Sequence, residues 1–296
     1  MRSGTGSLDL GEAHAARACG GLPTETPFTM RSASLCTAAF GMLGLLVVAP
    51  AAAQDMMQHV DLTSPEMTAA EMTRAEVEAA IAAAKSTRPA DFTGKKLSGL
   101  DLSGLDFSGA VLRAARLNGT KLTDAKLDRA VLDQAWLLDA DLSRASLRGA
   151  NIFAAQMQRA KLDGADLSGA RIAADLTGAS LVGTVLSGAN LGADMKNQSM
   201  GLMRAVLKSA NLERSILRDA DLSRVDLEFA SLRNADLTNA SLRGAALGGA
   251  NLTGATVAGA DFAAADLASA RLVAPIGLDA AKNFDKAKNT DRLLRE

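Results

Sequence analysis

Histidine and cysteine most often supply a nucleophile, a general base or a soft metal ligand near neutral pH. This chain of 296 residues has two of each, and all four precede residue 60. Acyl transfer through a Ser-His-Asp or Cys-His arrangement needs one of these side chains beside the nucleophile, and residues 90–274 contain neither. Aspartates are plentiful there, but a carboxylate pair working as acid and base needs a shared cleft that separates their pKa values. The glycines recur at corners and form no phosphate-binding loop. One set of soft ligands remains, Met56, Met57 and His59, which could hold copper in an oxidising compartment; a flexible processed terminus is the other reading. The expectation is no catalytic residue, no cofactor and no bound metal.

The elements that would position any site come from one pattern. From Phe92 to Leu272 every fifth residue is leucine or a close substitute, and two residues earlier there is nearly always alanine, as in the run ANLER SILRD ADLSR from residue 210. A period of five suits neither the 3.6 of a helix nor the 2 of a simple strand. Residues two apart in extended chain share a side. Alanine and leucine therefore point together, and the residue between them, such as Asp141, Lys161 or Asp221, points away. The last two residues of each unit suit a turn. Each unit is a short extended piece and a corner. If the corners turn alike, the chain coils with leucines inside, and successive coils pair at about 4.8 Å. Burying one leucine contributes roughly 1.5–3 kcal/mol. Ordering five backbone residues costs roughly 5–10 kcal/mol, so a coil is stable only when stacked on neighbours.

Tandem A(D/N)LXX units such as ADLSG (165–169), ANLER (210–214), ADLTN (235–239) and ANLTG (250–254) resemble the pentapeptide-repeat family over residues 90–274. The resemblance implies an all-β solenoid, a right-handed quadrilateral β-helix with about twenty residues per coil. Nine such coils would make a rod of roughly 40–45 Å at the strand spacing. Some members of that family bind DNA gyrase by resembling duplex DNA, which needs a continuous acidic surface.

Flanking segments complete the layout. Residues 30–53 read as a secretory signal peptide: Arg31, an apolar run from Leu35 to Val48, and an A-x-A site that places cleavage after Ala53. Residues 1–29 read as an upstream extension or disordered leader, with Met30 the true start. Export to the periplasm or the medium follows, without membrane insertion after cleavage. Residues 54–89 hold a linker and a capping helix, announced by the T-x-x-E capping box Thr73 to Glu76, with Val77, Ala80 and Ile81 on one face. Residues 275–296 form a capping tail of one or two short helices around Leu278, Ala281 and Phe284.

The repeat slips twice, one residue short between Ile172 and Leu176, which are four apart, and one residue long between Leu191 and Leu207, which are sixteen apart. The two changes cancel in the count of five. Between them Met195, Met200 and Met203 mark a loop or bulge, or more sharply a hinge or contact surface. A coil of four units stacks residues twenty apart. One outward column then alternates Asp101, Lys121, Asp141, Lys161, and Asp124 and Asp128 lie beneath Arg144 and Arg148. One outward group breaks the polar rule: Val111 and Val131 stacked, with Trp136, Leu138 and Phe153 around one corner, a candidate interaction patch; isolated surface residues, or shielding by the N-terminal segment, are the other readings. The net charge of −1 and the absence of tyrosine argue against nucleic acid as partner. The sequence reads as an exported, non-enzymatic structural or protein-interaction scaffold, with an unknown protein or a second copy as partner. The alternative is a gyrase-binding DNA mimic, which requires a cytoplasmic location.

Overall fold

The computed structural model describes residues 61–84, 88–193 and 203–296, all within the unit Met56–Glu296. The segments read as a leader at 1–29 and as a signal peptide at 30–53, and Met56, Met57 and His59, lie outside the described residues.

The solenoid follows from where each backbone N–H of a unit finds its acceptor. In the unit Asp141 to Ala145, Leu142 N donates to Lys161 O at 2.7 Å and Arg144 N to Asp163 O at 2.9 Å, both one turn above. Asp141 N donates to Thr120 O one turn below, at 2.9 Å, and Ala145 N closes the corner on Leu142 O at 3.0 Å. The fifth N–H, on Ser143, has no backbone acceptor and takes Asp141 Oδ1 at 3.0 Å. Where aspartate or asparagine holds the outward position, its own side chain can close the unit in this way. The same closure recurs at Asp166 to Ser168, Asp236 to Thr238 and Asn251 to Thr253. Elsewhere a side chain one turn below supplies the oxygen: Asp128 for Arg148 N, Asp163 for Val182 N, Asn118 for Leu138 N. Arg144 itself turns the corner with a left-handed φ of 58°, a conformation that recurs at unit ends through the repeat.

Four units make one turn. Parallel bridges run in four columns that begin at Asp91, Lys96, Asp101 and Asp106, and these residues name the four sides. The predicted column Asp101, Lys121, Asp141, Lys161 is formed as read. Inside, the leucines and alanines make one continuous buried core from Phe92 to Leu272.

The two slips have different structures. Strands β1 (Asn151–Gln156) and β2 (Arg171–Asp175) pair in parallel, with the register shifting between Phe153 and Gln156. Beyond them the stacking offset drops by one, so Lys161 bridges Ser180. The second slip is an insertion into a corner. Ala205 N donates to Leu191 O at 3.0 Å, the bond Ala210 N makes to Leu207 O across an ordinary corner. Asp175 then bridges Val206, and Ser180 bridges Asn211. The slips cancel in the count of five, as the sequence suggested, but not in the coil. Ile172 follows the Asp91 column and Leu207 the Lys96 column, so stacking across the insertion cannot be read at a spacing of twenty.

Before the coil, α1 (Pro65–Thr68) and α2 (Arg74–Ala83) precede the first turn. The capping box forms: Thr73 accepts from Glu76 N, and Glu76 Oε2 accepts from Thr73 N at 2.7 Å. Val77 of α2 is wholly buried in the core, and Ala80 and Ile81 pack against it. After Leu272 the period becomes six. Gly277, Asn283 and Asn289 adopt left-handed φ, each followed by a single 3₁₀ turn: Leu278–Ala280, Phe284–Lys286 and Thr290–Arg292. Lys282, Lys288 and Leu294 extend three columns above Asp261, Asp266 and Arg271. Where one or two short helices were expected, three single 3₁₀ turns form, and the columns of bridges run on through them. Asn283 and Asn289 donate to Asp261 and Asp266 at 2.9 and 2.7 Å.

Candidate interaction surfaces

The five residues of the predicted patch do not share one environment. Val111 and Val131 bridge each other on the Asp91 side and are half-buried. Trp136 lies between Arg116 and Gln156 on the Lys96 side, also half-buried. Phe153 is half-buried, and the Arg171 guanidinium carbon stands 4.8 Å from its ring centre. Leu138 corrects the sequence reading: it is only 4 % exposed. With Leu62 and Met67 it lines a cavity of about 240 Å³ between the N-terminal segment and the coil. Its N–H is held by Asn118 Oδ1, and Asn118 Nδ2 donates to Met67 O at 3.2 Å. The period of five assigns Leu138 an outward position; a segment some seventy residues earlier covers it.

The loop methionines are only partly placed. Met203 is half-buried beside Arg204, whose Nη1 donates to Arg224 O at 2.9 Å. Met195 and Met200 lie outside the described residues.

Four large apolar residues are exposed that the sequence did not single out, Ile216, Phe229, Ile276 and Leu294. Phe229 is 62 % exposed and takes a corner position with a φ of 59°. Bulky residues rarely adopt that conformation. Its ring lies against Gly249 one turn above, and Lys208 Nζ stands 5.9 Å from its centre while pairing with Glu228 at 2.8 Å. The signal was present in the sequence, since long corner residues recur beneath glycines: Arg129 under Gly149, Arg144 under Gly164, Arg159 under Gly178, Arg224 under Gly244.

Charges on the outside are paired locally. Arg144 grips Asp124 through two bonds of 2.8 and 2.7 Å, as stacking predicted. The Arg144 guanidinium holds the Asp124 carboxyl below its ordinary pKa. Arg148 stacks over Asp128, but its guanidinium reaches Asp166 instead, at 2.6 Å. Burial pushes the Asp166 carboxyl up, yet the Ser168 hydroxyl and N–H and the Arg148 guanidinium together hold it below its ordinary value. Among the described residues no group of three or more His, Cys, Asp or Glu is placed to hold a metal ion. No described helix is long and apolar enough to cross a membrane.

No curated protein sequence matches the chain. Among solved structures it is similar to HetL, a pentapeptide repeat protein involved in heterocyst differentiation regulation from the cyanobacterium Nostoc sp. strain PCC 7120, at 28 % identity over 75 % of this chain and 94 % of that one, with a TM-score of 0.40. Rfr23 from the cyanobacterium Cyanothece 51142 is 30 % identical over 40 % of this chain and 64 % of its own, with a TM-score of 0.28. QnrB1, a plasmid-mediated fluoroquinolone resistance protein, is 20 % identical over 62 % and 90 %, with a TM-score of 0.39. The pentapeptide-repeats family matches in eight copies, over residues 90–129, 125–169, 154–196, 202–239 and 240–273. The right-handed β-helix of that family agrees with the four columns of parallel bridges. The chain belongs to the pentapeptide-repeat family.

Proposed function

We propose that the chain is an exported, non-enzymatic scaffold whose outer surface binds a protein partner or a second copy of itself. One observation carries this reading: several outward carboxylates are tied into the fold while a few large apolar side chains are left exposed. Asp141, Asp166 and Asp236 each close their own unit, and Asp124 is gripped by Arg144. Phe229 and Ile216 remain exposed. Groups tied down in this way are poor acids and bases, whereas exposed aromatic residues are typical anchors in protein recognition.

Export rests on the signal sequence at 30–53 with cleavage after Ala53, and the capping role of α2 rests on its buried Val77. The insertion after Ala193 fits a contact surface better than a hinge, because the columns resume across it at Val206 and Asn211. The alternating column Asp101, Lys121, Asp141, Lys161 supports a protein scaffold over a gyrase-binding DNA mimic, whose surface would be continuously acidic.

Cell fractionation with mass analysis of the native product tests the reading. The scaffold reading expects the protein outside the cytoplasm, beginning at Gln54, and inert in a gyrase supercoiling assay. A cytoplasmic protein that inhibits supercoiling overturns it.

A further inference from the structure

Residues 61–72 cross the Lys96 side of the first turns as a strap. Ala70 bridges Leu97 in antiparallel fashion, and Glu71 N donates to Lys96 O at 2.8 Å. Glu66 spans two turns, with Oε1 at 2.7 Å from Lys96 Nζ and Oε2 at 2.9 Å from Arg116 Nη1. Met67 and Leu138 are buried where the strap meets the coil.

This seat differs from the core beside it. Its polar contacts lie at an exposed rim, and the Glu66 side chain is 62 % exposed. A cleft of about 240 Å³, open to solvent, is left between strap and coil. The surface beneath combines two cations, Lys96 and Arg116, with the apolar Leu138, and Trp136 bridges Arg116 on the same side of the coil. The backbone of the first turn at Lys96 also accepts an added strand, a common mode of peptide recognition.

We propose that this side of the first three turns is a peptide-docking surface. It is occupied in cis by residues 61–72. In trans it takes a peptide of the same chemistry: a carboxylate followed at once by a large apolar side chain on a single helical turn, as in Glu66-Met67, and then an extended pair that bridges the coil as Ala70 bridges Leu97. The strap is the template for that partner: its carboxylate complements the two cations, and its methionine covers Leu138. The inference deepens the scaffold reading and rests on it in taking the rod to recognise protein.

The sole tryptophan of the chain, Trp136, makes the test direct. A dye-labelled synthetic peptide of residues 61–72 is titrated into the full chain, wild type and Glu66→Lys, with anisotropy reporting binding and Trp136 emission reporting the strap. The expected result is a red shift of emission in Glu66→Lys with unchanged circular dichroism, reversed by the peptide. The peptide binds this variant at least about tenfold more tightly than wild type, because apparent affinity scales with the fraction of open seats. Adding Leu138→Asp abolishes binding. Equal affinity for wild type and Glu66→Lys, or binding that survives Leu138→Asp, overturns the proposal. If Glu66→Lys does not fold, Glu66→Gln replaces it, and unchanged emission and affinity there overturn the proposal equally. Export and supercoiling are read independently of this peptide, so the two readings can fail separately.

Discussion

The ring of Phe229 fills the space that a side chain at position 249 would need: a Cβ built on Gly249 falls 2.6 Å from Phe229 Cδ1. Both residues turn corners with left-handed φ, 59° and 66°, one turn apart. Gly249→Ala therefore meets a clash as well as backbone strain and lowers stability by about 1–3 kcal/mol. In a Phe229→Gly background only the backbone component remains, roughly 1 kcal/mol. A double-mutant cycle by urea unfolding checks this; equal costs in both backgrounds would show that the ring is not the obstacle.

Asp141 is a hydrogen-bond acceptor for its own unit before it is a surface charge. Asp141→Ala leaves the Ser143 N–H without its acceptor and costs about 0.5–1.5 kcal/mol. Asp141→Asn keeps the oxygen and changes stability by no more than about half of that. Thermal unfolding of the two variants separates the roles, because loss of charge alone would make them equal.

Acid should loosen the rod through these same groups. Burial raises the Asp236 carboxyl, but the Thr238 hydroxyl, the Arg218 guanidinium and the Thr238 N–H together hold it below its ordinary value, and the balance at Asp166 is similar. Carboxyls depressed in the folded state stabilise it above their unfolded pKa of about 4 and lose that contribution as pH falls through the lower folded values. Unfolding midpoints are thus expected to be flat between about pH 5 and 7 and to fall below about pH 4. Asp166→Asn with Asp236→Asn should shallow that fall; an unaltered slope would assign the acid sensitivity elsewhere.

Among the described residues, removing the insertion takes from the coil only the contacts of Arg204, its bond to Arg224 O at 2.9 Å and its ion pair with Asp226 at 3.9 Å. Joining Ala193 to Ala205 leaves the run Leu191, Gly192, Ala193, Ala205, Val206, Leu207, an ordinary unit with the corner bond to Leu191 O already in place. Deletion of 194–204 should change stability by less than about 1 kcal/mol, since loop closure depends weakly on length. A large loss of stability in chemical denaturation would mean that the segment supports the rod.

How much the sequence revealed depends on the range of the contact. Leu142 and Ala145 were legible because burial repeats with the local period, and Asp101 over Lys121 because one fixed spacing of twenty stacks the coils. Asp141 was read only as outward and polar. Its closure of the Ser143 N–H emerges when every backbone donor of the unit is assigned an acceptor. The passage from five to six residues was written in Gly277, Asn283 and Asn289, six apart, but helical expectations for the tail concealed it. Shielding of Leu138 by the N-terminal segment was one reading of its group, but the period alone could not select it: its burial depends on Met67 and Leu62 crossing from a segment outside the repeat.

Quantitative affinity capture from the exported fraction tests the central claim most directly, with the tagged full chain as bait and Trp136→Asp as its folded control. The account predicts that one protein, either a distinct partner or a second copy of this chain, is retained by the wild type and reduced at least about tenfold by the substitution, the effect of removing a buried aromatic anchor. Equal retention by both baits, or no protein retained by the wild type, contradicts it.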